Sequence, residues 1–186
     1  MSQRPTLKVA SAQYPIGQPK TLSEWEEKVA LWVRNGAATG AELLVFPEYA
    51  AIEQSACFGP EVYGDLQATL AKVAELAASR VGFHLELAKT HQVHILVGSG
   101  PVLNSDGRYV NAAQLVTPEG EIGEQEKLVM TPFEREWGIS AGSPVRVFET
   151  RLGQFGIAIC YDSVCQHCRK VALQMSPHVI LEDLFG

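Results

Sequence analysis

The chain has 186 residues, of which 46% are hydrophobic and 19% charged, and this composition predicts one globular domain with a substantial core. A formal net charge of -6 without any run of Lys and Arg argues against nucleic-acid and membrane-surface partners. The sequence contains no stretch of membrane-spanning length, and its first residues lack the apolar segment of a secretory signal.

The four cysteines do not form a disulfide framework of the kind found in small secreted proteins. Cys57 stands alone, whereas Cys160, Cys165 and Cys168 crowd near the C-terminus. Reduced thiols and a cytoplasmic location are therefore expected.

The first third of the chain alternates between strand and helix patterns. Residues 7–13 predict a strand, apolar residues at helical spacing run from Trp25 towards Gly40, and residues 43–46 predict a short buried strand that Pro47 ends. The following stretch, up to Gly64, is interpreted as a loop.

The remainder predicts further helices and several strands. Asp65 is suited to cap a helix, and the helical spacing that continues through Leu87 suggests a break near Gly82. Strands are predicted at residues 94–100, 109–116, 122–127, 145–147 and 155–159. The order indicates an α/β fold in which helices cover a sheet.

Three polar residues lie where predicted strands end: Glu48, Lys127 and Cys160. Strand ends can present side chains together at one edge of a sheet. Each residue also has an ordinary interpretation, because a Glu or Lys in a loop is usually solvated and a Cys that ends an apolar run is usually a small buried residue.

Together the three residues form a coherent catalytic set. A cysteine thiol, with an ordinary pKa of about 8.5, needs help to attack an amide or nitrile carbon. Glu48 could take the thiol proton and return it to the departing nitrogen, while Lys127 stabilises the thiolate and the oxyanion. The backbone N–H of Tyr161 is a second candidate oxyanion donor, since it directly follows Cys160.

Three segments carry a specific resemblance to a known family. Residues 44–48 read Leu-Val-Phe-Pro-Glu, residues 126–136 combine Glu-Lys with Thr-Pro-Phe-Glu-Arg-Glu, and residues 156–162 read Gly-Ile-Ala-Ile-Cys-Tyr-Asp. In type and order they resemble the signature segments of the nitrilase superfamily of carbon–nitrogen hydrolases. The resemblance covers the chain from about residue 7 to Ser163.

The resemblance implies an α-β-β-α sandwich in a single domain and a catalytic triad that falls on Glu48, Lys127 and Cys160. The family's second active-site glutamate matches Glu134, whose alternative interpretation is a salt-bridging loop residue. The family implies hydrolysis of a small amide or nitrile through a thioester, without a metal or organic cofactor. Nearby aromatic residues are candidates for the substrate pocket: Phe58, Tyr63 and Trp137.

Beyond Ser163 the sequence departs from the family pattern. Residues 164–186 are interpreted as a divergent tail, so the sandwich is expected to be incomplete at the C-terminus and to expose apolar sheet surface. Residues 179–181 predict one strand in this region. A homo-oligomer is compatible with the resemblance but has no specific support from the tail.

Two other functions compete with a thiol hydrolase. Cys160, Cys165, His167 and Cys168 could form a thiolate–imidazole metal site, although their spacing lacks the two separated ligand pairs of structural zinc sites. Alternatively, the chain is a catalytically inactive interaction module of the same fold.

Overall fold

The computed structural model describes residues 6–120, 122–165 and 179–183. The strands are β1 (Val9–Ser11), β2 (Leu43–Val45), β3 (His94–Leu103), β4 (Tyr109–Val116), β5 (Ile122–Glu126), β6 (Ile139–Ser140), β7 (Val147–Thr150), β8 (Gly153–Ile159) and β9 (Val179–Asp183). The α-helices are α1 (Leu22–Ala38), α2 (Pro60–Tyr63), α3 (Leu66–Glu75), α4 (Ala77–His91), α5 (Pro132–Glu136) and α6 (Tyr161–Val164), and a 3-10 helix spans Ala50–Phe58.

The described strands form two sheets. The first has the order β1-β2-β3-β4-β5, with β6 also paired to β4, and the second has the order β7-β8-β9. Strands β1, β2 and β3 are parallel because helices connect them, whereas β3, β4 and β5 follow one another as antiparallel neighbours. The three adjacent strands predicted from the sequence are thus confirmed.

Helices and the second sheet cover opposite faces of the first sheet. Leu44 and Ile95 pack with α1 and α4, while Leu43 and Leu96 pack against Phe155 and its neighbours in the second sheet. Successive residues of a strand point to opposite faces, so the two covers explain why residues 43–46 are all apolar. The α/β sandwich expected from the sequence is confirmed in this arrangement of helices and two sheets.

The second sheet covers its face of the first sheet only as far as β2 and leaves part of β1 exposed. Val9 is paired in register with Leu43, but Val9 is 44% exposed and Leu43 is fully buried. Strand β9, which includes the predicted strand at residues 179–181, lies at the edge of the second sheet and pairs in parallel with β8. Within the described ranges, every helix is too short or too polar to span a lipid bilayer.

Two details of the predicted helices were wrong. The break lies at Leu76, which ends α3 and precedes α4, while Gly82 lies inside α4. Gly82 faces open space, and one glycine costs a helix only about 1 kcal/mol, so packing on the rest of α4 maintains the helix. The stretch interpreted as a loop up to Gly64 instead contains the 3-10 helix and α2.

A bulge in β3 makes room for the chain that enters the 3-10 helix. The register of β3 against β4 shifts between Leu96 and Ser99, and Gly98 has a φ of 82°. A Cβ added at Gly98 would lie 2.6 Å from the carbonyl oxygen of Pro47. The Ser99 hydroxyl accepts a hydrogen bond from the backbone N–H of Tyr49 at 3.2 Å, so the bulge fixes the backbone on both sides of Glu48.

We expect Gly98→Ala to lower the free energy of unfolding by about 2–4 kcal/mol, because the new Cβ adds a steric clash to an unfavourable positive φ. Gly107→Ala is the matched control, since Gly107 has a φ of 74° and open space around it. It should cost only about 1 kcal/mol. Urea unfolding of both variants measures the difference, and equal losses would show that the close approach to Pro47 contributes nothing.

Candidate active site

All four side chains nominated from the sequence line one cavity of about 630 Å³, a volume typical of small-molecule sites. Glu48 follows β2, Lys127 follows β5, Glu134 lies in α5, and Cys160 lies between β8 and α6. The structure therefore brings together residues from both sheets and from the helix after β5. Their catalytic roles remain predictions.

Lys127 forms the centre of a buried charge network. Its ammonium group donates a hydrogen bond to Glu48 Oε1 at 2.7 Å and to the two carboxylate oxygens of Glu134 at 2.9 and 2.8 Å. The side chains of Lys127, Glu48 and Glu134 are only 1%, 2% and 3% exposed. A buried cation at such distances from two carboxylates requires both of them to offset the loss of its hydration.

The carboxylate of Glu134 is held by its own helix as well as by Lys127. Thr131 caps α5, and Glu134, at the third helical position, bonds back to the Thr131 backbone N–H at 2.9 Å. Tyr49 donates a further hydrogen bond from its hydroxyl at 2.8 Å. The sequence Thr-Pro-Phe-Glu thus forms a short helix whose capping carboxylate points into the cavity.

The two carboxyl groups have opposite pKa shifts. Burial tends to raise the pKa of Glu134, but hydrogen bonds from Lys127, Thr131 and Tyr49 lower it below its ordinary value. Burial outweighs the hydrogen bond from Lys127 at Glu48, so the pKa of Glu48 is raised. Glu134 is therefore suited to remain ionised as a counter-ion, while Glu48 is suited to gain and lose a proton.

The shift at Lys127 matches this network. Burial alone would lower the pKa of Lys127, but hydrogen bonds with Glu134 and Glu48 outweigh burial and raise it. Lys127 is consequently a fixed positive charge at neutral pH and does not act as a proton acceptor there.

Cys160 has a backbone conformation that is rare for a side-chain-bearing residue. Its φ is 47° and its ψ is -104° at the turn from β8 into α6. Burial, then the negative charge of Glu48 and a hydrogen bond with that carboxylate, raise the pKa of the Cys160 thiol to about 11. Lys127 and the Tyr161 backbone N–H act in the opposite direction. At neutral pH the thiol is protonated and has a carboxylate base beside it.

Asn111 is a site residue that the sequence reasoning missed. It lies fully buried on β4, and its amide donates to Glu48 Oε1 at 3.0 Å and to Glu134 Oε1 at 3.3 Å. The backbone carbonyl oxygen of Asn111 accepts the backbone N–H of Lys127 at 2.7 Å. Asn111 thus connects all three charged residues, and its signal in the sequence was a lone Asn within the apolar strand at residues 109–116.

Asp162 is a second residue that was missed, although it lies inside the recognised segment at residues 156–162. Its buried carboxylate accepts the backbone N–H groups of Leu128 at 3.1 Å and Val129 at 2.8 Å. Asp162 therefore ties the chain after Lys127 to the turn that carries Cys160. Burial raises the pKa of Asp162 even though these N–H groups oppose the shift.

Two of the three aromatic residues proposed for the pocket are in place. Tyr63 and Trp137 line the cavity, and the ring of Trp137 meets that of Tyr49 edge to face at a centroid distance of 6.4 Å. Phe58 does not line this cavity; instead its ring lies 5.1 Å from the Lys72 ammonium group. Phe58 is the last residue of the 3-10 helix, which was not predicted from the sequence.

The alternative metal site remains untested, because His167 and Cys168 lie outside the described residues. Within residues 6–120, 122–165 and 179–183, the His, Cys, Asp and Glu side chains form no group of three that is suited to hold a metal ion. Cys160 is a free thiol.

Comparison with known proteins identifies the family. The family model described as carbon-nitrogen hydrolase matches residues 8–174. The chain belongs to the carbon–nitrogen hydrolase family. A probable hydrolase, YhcX, of Bacillus subtilis (strain 168) is 30% identical over 175 residues, and Nitrilase 2 of Arabidopsis thaliana is 29% identical over 172 residues.

Solved structures with low sequence identity share the fold. Nit3 of Saccharomyces cerevisiae, a nitrilase-superfamily member, matches with a TM-score of 0.75 at 17% identity, over 96% of this chain and 64% of that one. An amidase from Nesterenkonia sp. matches with a TM-score of 0.73 at 18% identity, also over 96% and 64%.

The chain is short in comparison with these relatives. The match to YhcX covers 94% of this chain but 33% of the relative, and the match to Nitrilase 2 covers 86% and 48%. The chain thus spans between a third and a half of the curated relatives.

Removing the central charge of the site should destabilise the fold. We expect Lys127→Met to lower the free energy of unfolding by about 3–5 kcal/mol near neutral pH, because it leaves two buried carboxylates without a cation. Without Lys127 both carboxyls should have raised pKa values in the folded protein, so the loss should shrink as pH falls and they take up protons.

The control is Lys72→Met, which removes an exposed pair with Glu75 and should change stability by less than about 1 kcal/mol. Denaturant unfolding at pH values of about 5 and about 8 measures the loss of stability in each of the two variants. A Lys127→Met loss as small as that of Lys72→Met, or one that grows as pH falls, would contradict the buried network.

Proposed function

We propose that this chain carries the catalytic centre of a hydrolase that cleaves the carbon–nitrogen bond of a small non-peptide amide or nitrile. The observation that supports this most directly is that the Cys160 thiol shares one cavity with the Glu48 carboxylate, which raises the pKa of that thiol and is itself bound by Lys127 at 2.7 Å. A nucleophile, a base and a fixed cation thus share one cavity. Membership of the carbon–nitrogen hydrolase family supports the same reaction class.

The first half of the proposed amide reaction forms an acyl-enzyme. Glu48 accepts the thiol proton as the sulfur of Cys160 bonds to the carbonyl carbon, and the carbonyl π electrons move onto oxygen. Lys127 and the Tyr161 backbone N–H stabilise this oxyanion. The carbon–nitrogen bond then breaks, and the nitrogen leaves with the proton that Glu48 returns.

The second half regenerates the thiol. A water molecule gives a proton to Glu48 as its oxygen bonds to the thioester carbon. The carbon–sulfur bond breaks, the carboxylic acid departs, and the Glu48 proton passes to the sulfur of Cys160. Glu134 stays ionised throughout and holds Lys127, which is the role that its lowered pKa supports.

The thiol chemistry also supports a setting for the protein. A thioester mechanism needs Cys160 in its reduced form, and Cys57 and Cys160 are both free thiols. We therefore propose that the protein works in a reducing compartment such as the cytoplasm. Its proposed partner is the small amide or nitrile substrate.

Covalent catalysis predicts an acyl adduct at one cysteine. Brief incubation with a small amide, followed by acid quenching and mass spectrometry of peptides, should place the acyl mass on Cys160. Cys160→Ala should remove the adduct and lower turnover by at least about a thousandfold, whereas Cys57→Ala should alter neither. Near wild-type turnover in Cys160→Ala would exclude the mechanism, and a folded wild type without turnover or adduct would favour the inactive interaction module.

The pH dependence of thiol alkylation tests the contact between Glu48 and Cys160. Since burial and Glu48 together raise the pKa of Cys160 to about 11, Glu48→Gln should remove the part due to Glu48 and shift the alkylation curve of Cys160 with iodoacetamide to lower pH. Turnover should nevertheless be lost, because the variant has no proton carrier. Cys57, beside Glu53 instead, is an internal reference whose curve should not move. A curve for Cys160 that shifts to higher pH would contradict the contact.

A further inference from the structure

The cavity has a charged end and an extended apolar wall. Glu48, Lys127, Glu134 and Cys160 form the charged end. Apolar side chains from four separate segments form the wall: Ile16, Ile52, Leu66, Leu70, Phe133 and Trp137. Residues from the loop after β1, the 3-10 helix, α3 and α5 thus meet beside the reacting groups.

The Ser and Thr hydroxyl groups in this wall already donate hydrogen bonds within the protein. Ser55 donates to the Ile52 carbonyl oxygen and Thr69 to the Val62 carbonyl oxygen, each at 2.8 Å. Thr131 donates to Glu134 Oε2 at 2.9 Å. A polar substituent on a substrate would give up its hydration here and meet Ser and Thr hydroxyl groups whose protons are already donated.

The charges of the cavity disfavour an anionic substrate. Among the described lining residues Lys127 is the only Lys or Arg, and its ammonium group already donates hydrogen bonds to Glu48 and Glu134. A substrate carboxylate placed along the wall would find no cation to pair with, and it would be repelled by two carboxylates at the charged end.

The outer part of the wall is exposed. Ile16 is 52% exposed, Leu66 40% and Phe133 65%, and all three line the same cavity. Large apolar side chains grouped around a cavity can bury hydrocarbon surface of a bound molecule. The exposed rim therefore extends the apolar wall outwards from the reacting groups.

We infer that the acyl group of the substrate is an uncharged hydrocarbon chain or ring, which the wall from Leu70 to Ile16 binds. This inference rests on the proposed hydrolase function, because it assigns the part of the substrate that stays on Cys160 as the thioester. Ile16, Leu66 and Phe133 are specificity-determining residues that contact this group and take no part in bond breaking.

The test compares two primary amides of equal chain length, hexanamide and the monoamide of adipic acid, which replaces the terminal methyl of hexanamide by a carboxylate. We expect kcat/KM for hexanamide to exceed that for the anionic amide by at least about tenfold, because the carboxylate must lose hydration without gaining a partner. Calorimetric binding of both amides to Cys160→Ala provides a readout that does not depend on turnover.

A cation placed at the rim should narrow this preference. Ile16→Arg should improve relative binding and kcat/KM of the anionic amide by roughly a few-fold, less at high salt. Leu103→Arg is the matched control, since Leu103 is 53% exposed and lies outside this cavity. It should leave the preference unchanged.

The outcomes separate the inference from the proposed function. Turnover or binding of the anionic amide that equals or exceeds that of hexanamide overturns the apolar subsite, while its turnover still supports a hydrolase. Preferential binding of hexanamide to Cys160→Ala, with no turnover or Cys160 adduct in wild type, supports the subsite and overturns the hydrolase. Absence of binding and turnover with both amides overturns both.

Discussion

Burial of the Lys127 ammonium group is the constraint on which the site depends. A cation that is 1% exposed is stable only if groups brought from elsewhere in the chain replace its hydration. Glu48 lies 79 residues away in sequence and Glu134 lies seven away, so the network links the end of β2 to the loop after β5 and to α5. The charged end of the cavity therefore forms only when these segments fold together. Asn111 on β4 stabilises the same network with hydrogen bonds to both carboxylates.

The surroundings of the two carboxylates shift their pKa values in opposite directions. Glu134 receives hydrogen bonds from a helix cap, a tyrosine and a lysine, and its pKa falls; Glu48 receives fewer, and its pKa rises. The same environment keeps the Cys160 thiol protonated at neutral pH. Cys160, in its strained turn, is thus held as a protonated thiol beside the Glu48 carboxylate and not as a reactive thiolate. Such a thiol is less exposed to general oxidation and alkylation than a free thiolate would be.

Much of this arrangement was predictable because it depends on short-range signals. Alternation of apolar segments predicted the order of strands, and strand ends that carried Glu48, Lys127 and Cys160 predicted a shared site, which the structure assembles. The 3-10 helix was missed because its conformation depends on close packing of β3 against the chain after Pro47, a long-range contact at Gly98. The contributions of Asn111 and Asp162 were missed for the same reason, since each acts through hydrogen bonds to residues distant in sequence.

The position of Cys160 relative to Lys127 depends on the smaller of the two sheets. Glu48 and Lys127 follow strands of the first sheet, whereas Cys160 follows β8 in the second sheet, which has three strands among the described residues. The sheets are held together by apolar packing, which is strong but non-directional and does not by itself fix a sulfur atom to within a fraction of an ångström. The Asp162 carboxylate adds directional hydrogen bonds to this packing. It lies in the turn that carries Cys160 and accepts the backbone N–H groups of Leu128 and Val129, the residues directly after Lys127. These hydrogen bonds across the sheet interface thereby help to fix the position of the Cys160 thiol relative to the Lys127 ammonium group.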